Sequence, residues 1–138
     1  MTATQGAANG TFDVKIQPLA AYNQAPEAMM ARRSIDKQFH GALDATSQGE
    51  MLSAGTPVDG SAAYVALEQV RGRLDGRSGS FVLMHRATMT RGTPALEITV
   101  VPDSGTGELT GLAGRMGIRI ADGAHFYEFA YTLPDAPP

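Results

Sequence analysis

Two ionisable side chains, Glu68 and His85, are candidates for chemistry because each lies in a stretch where side chains alternate between two faces. His85 shares its face with Phe81 and Leu83, which is typical of a strand face pointing into a core. Glu68 shares its face with Tyr64, and the pattern does not decide whether that face points inward. We favour the inward orientation, in which apolar surroundings would raise the pKa of Glu68 and make it a candidate acid or base. A hydrogen-bonded core histidine and a solvated surface glutamate remain the plainer alternatives.

Three further side chains, together with Tyr64, are candidates for ligand binding because they combine an aromatic body with a polar atom. His125, Tyr127 and Tyr131 alternate along the last apolar stretch of the chain. A tyrosine hydroxyl inside a protein must find a hydrogen-bond partner, so it can orient a polar ligand. Filling of the core is the more common role of buried aromatic side chains.

The sequence contains no metal or phosphate signature. The three histidines (His40, His85 and His125) lie on different predicted strands, and nothing in their spacing fixes their mutual distance. Cysteine is absent, which excludes disulfides, thiolate catalysis and cysteine-zinc sites. The glycine-rich run from Gly105 to Gly111 matches neither a P-loop nor a dinucleotide fingerprint. We therefore predict no metal and no cofactor.

Composition limits the class of protein further. The 138 residues include 11 Lys and Arg against 14 Asp and Glu, a net charge of −3. This balance argues against nucleic acid as a partner, because such binding needs clustered basic residues. No apolar stretch has the length of a membrane span, and the first ten residues lack the pattern of a secretory signal. We expect one cytoplasmic domain over residues 1–138, with flexible tails at residues 1–9 and 134–138.

The elements that must position these side chains are short strands. Alternating stretches are separated by turn candidates at Asp59-Gly60, Asp75-Gly76, Asp103-Ser104-Gly105 and Asp122-Gly123. The predicted strands lie in residues 11–18, 31–39, 41–53, 62–71, 80–89, 95–101, 116–120 and 125–133. A sandwich and a barrel both fit this pattern. We favour an all-β fold, namely a closed eight-stranded antiparallel barrel whose strands mostly follow one another as a meander. A barrel of eight strands is just wide enough to hold one small ligand.

Several segments together resemble a known family. They include Tyr64-Val-Ala-Leu-Glu68 and Pro102-Asp-Ser-Gly-Thr-Gly-Glu-Leu109, within a similarity that runs from about Gly10 to Leu133. The chain resembles the bacterial domain-of-unknown-function family 3224, which is similar to the allene oxide cyclase-like barrel superfamily. The resemblance implies an eight-stranded antiparallel barrel. It implies no activity, although related barrels act on reactive apolar molecules largely by confining them.

Three hypotheses on function follow. The first is a barrel that binds a small apolar or aromatic molecule in its bore. The second is an isomerase or cyclase for an apolar metabolite, with Glu68 or His85 as acid or base. The third is a homo-oligomeric interaction module that uses the glycine-rich hairpin and Arg32-Arg33. Nucleic acid and membrane are not expected partners.

Overall fold

Eight antiparallel strands form a closed barrel in the computed structural model, which describes residues 3–134. The strands are β1 Ala3–Leu19, β2 Met30–Gly41, β3 Leu43–Gly55, β4 Ala62–Leu74, β5 Arg77–Thr90, β6 Thr93–Val100, β7 Ala113–Ala121 and β8 Ala124–Pro134. Each strand pairs with the next along the chain, and β1 also pairs with β8. The predicted barrel and its meander are therefore confirmed. Within these residues, no helix has the length and apolarity needed to cross a membrane.

Alternation along each strand separates an inner face from an outer face. Along β4, Ala66, Glu68 and Val70 are buried, whereas Val65 and Leu67 are exposed. Two of the predicted turns adopt the backbone that their residues favour, since Asp75-Gly76 and Asp122-Gly123 have positive φ at both positions. The predicted inward orientation of Glu68 is confirmed.

The prediction that residues 1–9 form a flexible tail is wrong for residues 3–9. These residues are the first part of β1, where they pair with β8 from Ala3↔Pro134 to Asn9↔Glu128. Their side chains are mostly small, and several are polar, so they gave no hydrophobic signal, yet the pairing closes the barrel. Of the predicted C-terminal tail, Pro134 belongs to β8 and residues 135–138 lie outside the described residues.

One end of the barrel is packed shut. Residues 101–112, here called the cap segment, cover this end and bury Leu109 and Leu112. Thr106 joins the cap segment to β5 through its amide, which donates to the Ser80 carbonyl at 2.8 Å, and through a hydroxyl contact with Ser80 at 2.7 Å. The core behind it is aromatic and aliphatic; its largest members are Tyr127, Phe39, Phe81, Phe129, Leu43 and Leu74.

The opposite end of the barrel is open. Here the inward-facing positions of four strands are apolar yet exposed: Ile16 by 47%, Met89 by 44%, Leu96 by 44% and Ile120 by 67%. Each continues an inner face that is buried deeper in the barrel, so the loss of burial marks the place where the packed interior ends. We call this end the mouth.

Candidate functional site

A buried polar cluster lies between the packed core and the mouth. It consists of Lys37 on β2, Glu68 and Tyr64 on β4, and His85 on β5. Lys37, Glu68 and His85 are 8%, 1% and 3% exposed, and Tyr64 is partly buried. Ionisable groups at this depth are rare unless they are paired, so their contacts decide what the cluster can do.

Lys37 and Glu68 form an ion pair across the strand that separates them. The Lys37 Nζ donates a hydrogen bond to Glu68 Oε1 at 3.3 Å and lies 3.1 Å from Oε2. The intervening inner face of β3 is small here, with Ser47 opposite Lys37 and Gly49 opposite Glu68. A Cβ on Gly49 would lie 2.7 Å from the Glu68 Cβ. Small side chains on β3 therefore let the lysine reach over to its partner.

Lys37 also lies against two aromatic rings. Its Nζ is 4.9 Å from the ring centroid of Phe12 and 5.7 Å from that of Phe39. The ring faces attract the ammonium, most strongly where water is excluded. The lysine is thus held by one carboxylate and two rings, which fixes its position below the mouth.

His85 lies between the two members of the polar cluster on β4. It faces Ala66 across the β4–β5 ladder, and the small alanine leaves the imidazole between Glu68 and Tyr64. The Tyr64 hydroxyl is 3.4 Å from His85 Nδ1, and His85 Nε2 is 3.7 Å from Glu68 Oε1. The resulting chain runs from the buried carboxylate through the imidazole to a phenol at the mouth.

The expected rise in the pKa of Glu68 is wrong. Burial does raise the pKa of this carboxyl, but the contacts with His85 and the charge of Lys37 outweigh burial and hold the pKa below its ordinary value. Tyr64 shows the opposite change, because burial and the nearby Glu68 charge raise its pKa. At neutral pH, Glu68 is therefore a fixed carboxylate and Tyr64 a protonated phenol.

This lowered pKa predicts a pH dependence of stability. Because Glu68 binds its proton more weakly when folded than when unfolded, its charge stabilises the fold above the unfolded pKa of about 4.3, and this contribution is lost as pH falls. We expect the gap in unfolding free energy between the natural protein and Glu68→Gln to be constant near pH 7 and to narrow below about pH 4.3. Urea unfolding at a series of pH values measures it, and a gap independent of pH would contradict the assignment.

Three polar atoms in the buried region have no hydrogen-bond partner among the described residues. They are Ser47 Oγ, Glu68 Oε2 and His85 Nε2. The lysine approaches Oε2 as a charge, yet it directs its hydrogen bond to Oε1. Unsatisfied buried polar atoms carry a free-energy cost, and a catalytic role or a bound water are among the usual reasons for their presence.

Of the remaining predicted site residues, His125 faces inward opposite Ile120 at the mouth, whereas Tyr127 and Tyr131 lie at the packed end. The hydroxyl of Tyr127 accepts from the Leu43 amide and shares its one proton between the carbonyls of His40 at 3.0 Å and Leu43 at 3.2 Å, all at the packed end. The Tyr131 hydroxyl donates to Asp75 at the same end. Burial and this bond to Asp75 raise the pKa of Tyr131 to about 12. The structure therefore separates both hydroxyls from Glu68 and His85.

The histidines do not come together. His40 points outward and pairs with Asp13 at 2.9 Å, whereas the His125 ring packs 5.1 Å from the Phe12 ring on the inside. Over residues 3–134, no three His, Cys, Asp or Glu side chains form a group that could hold a metal ion.

Sequence reasoning missed Lys37, and it assigned Arg33 to an oligomeric interface and not to the mouth. Both lie on the inner face of β2, which alternation assigns to every second residue: Arg33, Ile35, Lys37 and Phe39. Arg33 is partly buried near the mouth, and its Nη1 donates to Ser53 Oγ at 3.1 Å. Testing the predicted strand 31–39 for alternation would have revealed a cation on an apolar face.

The segments predicted for an oligomerisation module make contacts within the chain. The cap segment buries Leu109 and Leu112 inside the barrel, and Arg32 pairs with Glu50 on the outer wall. The outer wall does carry an apolar groove of about 530 Å³ over β3, β4 and β5. Its exposed apolar side chains are Leu52, Val65, Leu67 and Met84.

Fold and site together define a class: a closed antiparallel barrel with an apolar mouth above a buried ion pair. The chain belongs to the family described as "Protein of unknown function (DUF3224)", whose model matches residues 8–131. It is similar to a crystal structure of a protein with unknown function from this family, from Shewanella oneidensis, with 52% identity and a TM-score of 0.91. That match covers 96% of this chain and 100% of the other. No curated protein matches the chain significantly.

Proposed function

We propose that the protein binds a small apolar or aromatic molecule in the mouth of the barrel, with a polar group of that molecule at Tyr64. The observation that carries this proposal is the set of exposed, inward-facing apolar side chains directly above a buried polar cluster. Apolar walls with a few oriented polar groups are the usual composition of small-molecule sites. The raised pKa of Tyr64 supports this role, since the phenol keeps a proton to donate to a ligand.

A fluorescent probe tests this proposal. N-phenyl-1-naphthylamine is neutral and apolar, and the chain has no tryptophan to interfere with its emission. We expect saturable binding that Ala87→Trp weakens at least about tenfold, because residue 87 lies on the inner face at the mouth, opposite Tyr64. Thr88→Trp adds the same ring on the adjacent, exposed outward position and should leave the affinity unchanged. Equal affinity in both variants, or no saturable binding, would refute the mouth as a binding site.

A second candidate function is catalysis of an isomerisation or cyclisation at the same mouth. The contact between Tyr64 and His85 favours it, because a phenol hydrogen-bonded to an imidazole can pass a proton between ligand and protein. In this candidate His85 carries the proton, and Glu68, which stays ionised, orients and stabilises the imidazole. Native mass spectrometry of the purified protein would identify a retained molecule. Turnover of that molecule, lost in His85→Ala, would establish the enzyme, whereas unchanged recovery would favour a binder.

We infer further that the barrel belongs with the allene oxide cyclase-like superfamily. The closed meander of eight antiparallel strands supports this kinship. Because barrels of one shape host many functions, the kinship adds nothing to the choice between binder and enzyme.

A further inference from the structure

We propose that the ligand of the mouth is an organic anion, an apolar body with one carboxylate, sulfonate or similar oxyanion, held by Arg33, Ser53 and Tyr64. This inference rests on the proposed binding function and adds the chemical class of the ligand.

Over residues 3–134, Arg33 is a cation without an acidic partner. It lies on the inner face of β2, toward the mouth from the buried Ile35 and Lys37. Its one hydrogen bond among the described residues goes to the neutral Ser53. The adjacent Arg32 points to the other face of the sheet and pairs with Glu50. A guanidinium at an apolar opening can offer two parallel N–H groups to an oxyanion.

The donors converge through the strand register. Ser53 is directly opposite Tyr64 in the β3–β4 ladder, which places their Cβ atoms about 5 Å apart. The Arg33 bond to Ser53 then brings a guanidinium, an aliphatic hydroxyl and a phenol to one side of the mouth. All three can donate hydrogen bonds. The carboxylate of the polar cluster, Glu68, is already neutralised by Lys37.

The rest of the mouth suits the body of such a molecule. The inward positions of β1, β6 and β7 are aliphatic here, and β8 between β7 and β1 adds the ring of His125. The aliphatic residues include Ile16, Leu96, Ile118 and Ile120. A molecule with one charged end and one apolar end can therefore place its charge at β2–β4 and its body against the opposite wall. A neutral molecule would leave the guanidinium without a charged partner.

Two probes that differ by one sulfonate test the inference. N-phenyl-1-naphthylamine is neutral, and 1-anilinonaphthalene-8-sulfonate carries the same rings with an anion. We expect the sulfonate to bind at least about tenfold more tightly to the natural protein. Arg33→Gln should weaken binding of the sulfonate at least about tenfold and so remove this preference. Cooperative urea unfolding of the variant shows that it is folded. Arg32→Gln, which alters the adjacent cation on the outer wall, should preserve the preference.

The outcomes separate the inference from the function on which it rests. If the two probes bind the natural protein with equal affinity, and Ala87→Trp weakens the binding of both, the inference that the ligand is an anion is overturned. The mouth then remains a binding site. A preference that survives Arg33→Gln would also overturn the assignment to Arg33. If Ala87→Trp affects neither probe, the proposed function itself fails.

Discussion

Glu68→Gln is expected to lower the free energy of unfolding by about 3 kcal/mol or more at neutral pH, in the range for breaking a buried ion pair. The amide keeps the size of the carboxyl but cannot neutralise Lys37, whose side chain is 5% exposed. The lysine would be left as a buried charge beside two aromatic rings. Urea unfolding measures the change, and an unaltered m-value would show that the difference lies in stability.

A double-mutant cycle shows whether the loss comes from the pair. Lys37→Met keeps an unbranched apolar chain against the rings, so Lys37→Met combined with Glu68→Gln should be more stable than Glu68→Gln alone. The exposed pair of Arg32 and Glu50 provides the control. Its side chains are 39% and 59% exposed, so Glu50→Gln should cost less than about 1 kcal/mol. If the two buried substitutions simply add, the ion pair does not stabilise the fold as described.

Gly79→Ala is expected to destabilise the protein by about 3 kcal/mol, through the cap segment. A Cβ at Gly79 would lie 2.1 Å from the Thr106 carbonyl oxygen and 3.2 Å from Leu109 Cγ. The backbone of the cap segment would have to move, which would break the short Thr106–Ser80 bonds and uncover Leu109. Thermal unfolding measures the loss.

Gly117→Ala is the matched control. It also replaces a strand glycine, in β7, but a Cβ there would meet no atom within 4 Å. Because alanine loses less backbone entropy than glycine, this variant should be as stable as the natural protein or more stable by up to about 1 kcal/mol. Similar losses in the two variants would mean that packing of the cap segment does not hold the end of the barrel shut.

The fold was predictable because local signals agreed with each other. Apolar alternation and aspartate-glycine turns together indicated eight short strands, and the structure has those strands in meander order. Residues 3–9 were missed because their pairing with β8 depends on backbone hydrogen bonds, and their mostly small side chains give no period-two signal. The cap segment packs onto the end of the barrel through contacts between residues that are distant in sequence. The burial of Leu109 therefore could not be predicted from the spacing of residues along the chain.

The candidate site was predictable only in part. Alternation placed Glu68 and His85 on inner faces, but their surroundings depend on residues from other strands. Lys37 is 31 positions before Glu68. It reaches that carboxylate across β3, where the facing residues Ser47 and Gly49 are small. The direction of the Glu68 pKa shift depends on this one contact and on His85, so sequence reasoning that saw only an apolar face gave the wrong sign.

The most direct test of the central claim is where a bound molecule lies. Nuclear Overhauser contacts between the naphthyl protons of N-phenyl-1-naphthylamine and protein methyl groups distinguish the inner from the outer wall. Binding in the mouth predicts contacts to the methyls of Ile16, Met89 and Leu96. Contacts confined to Leu52, Val65, Leu67 and Met84 would place the molecule in the outer groove and contradict the proposed function.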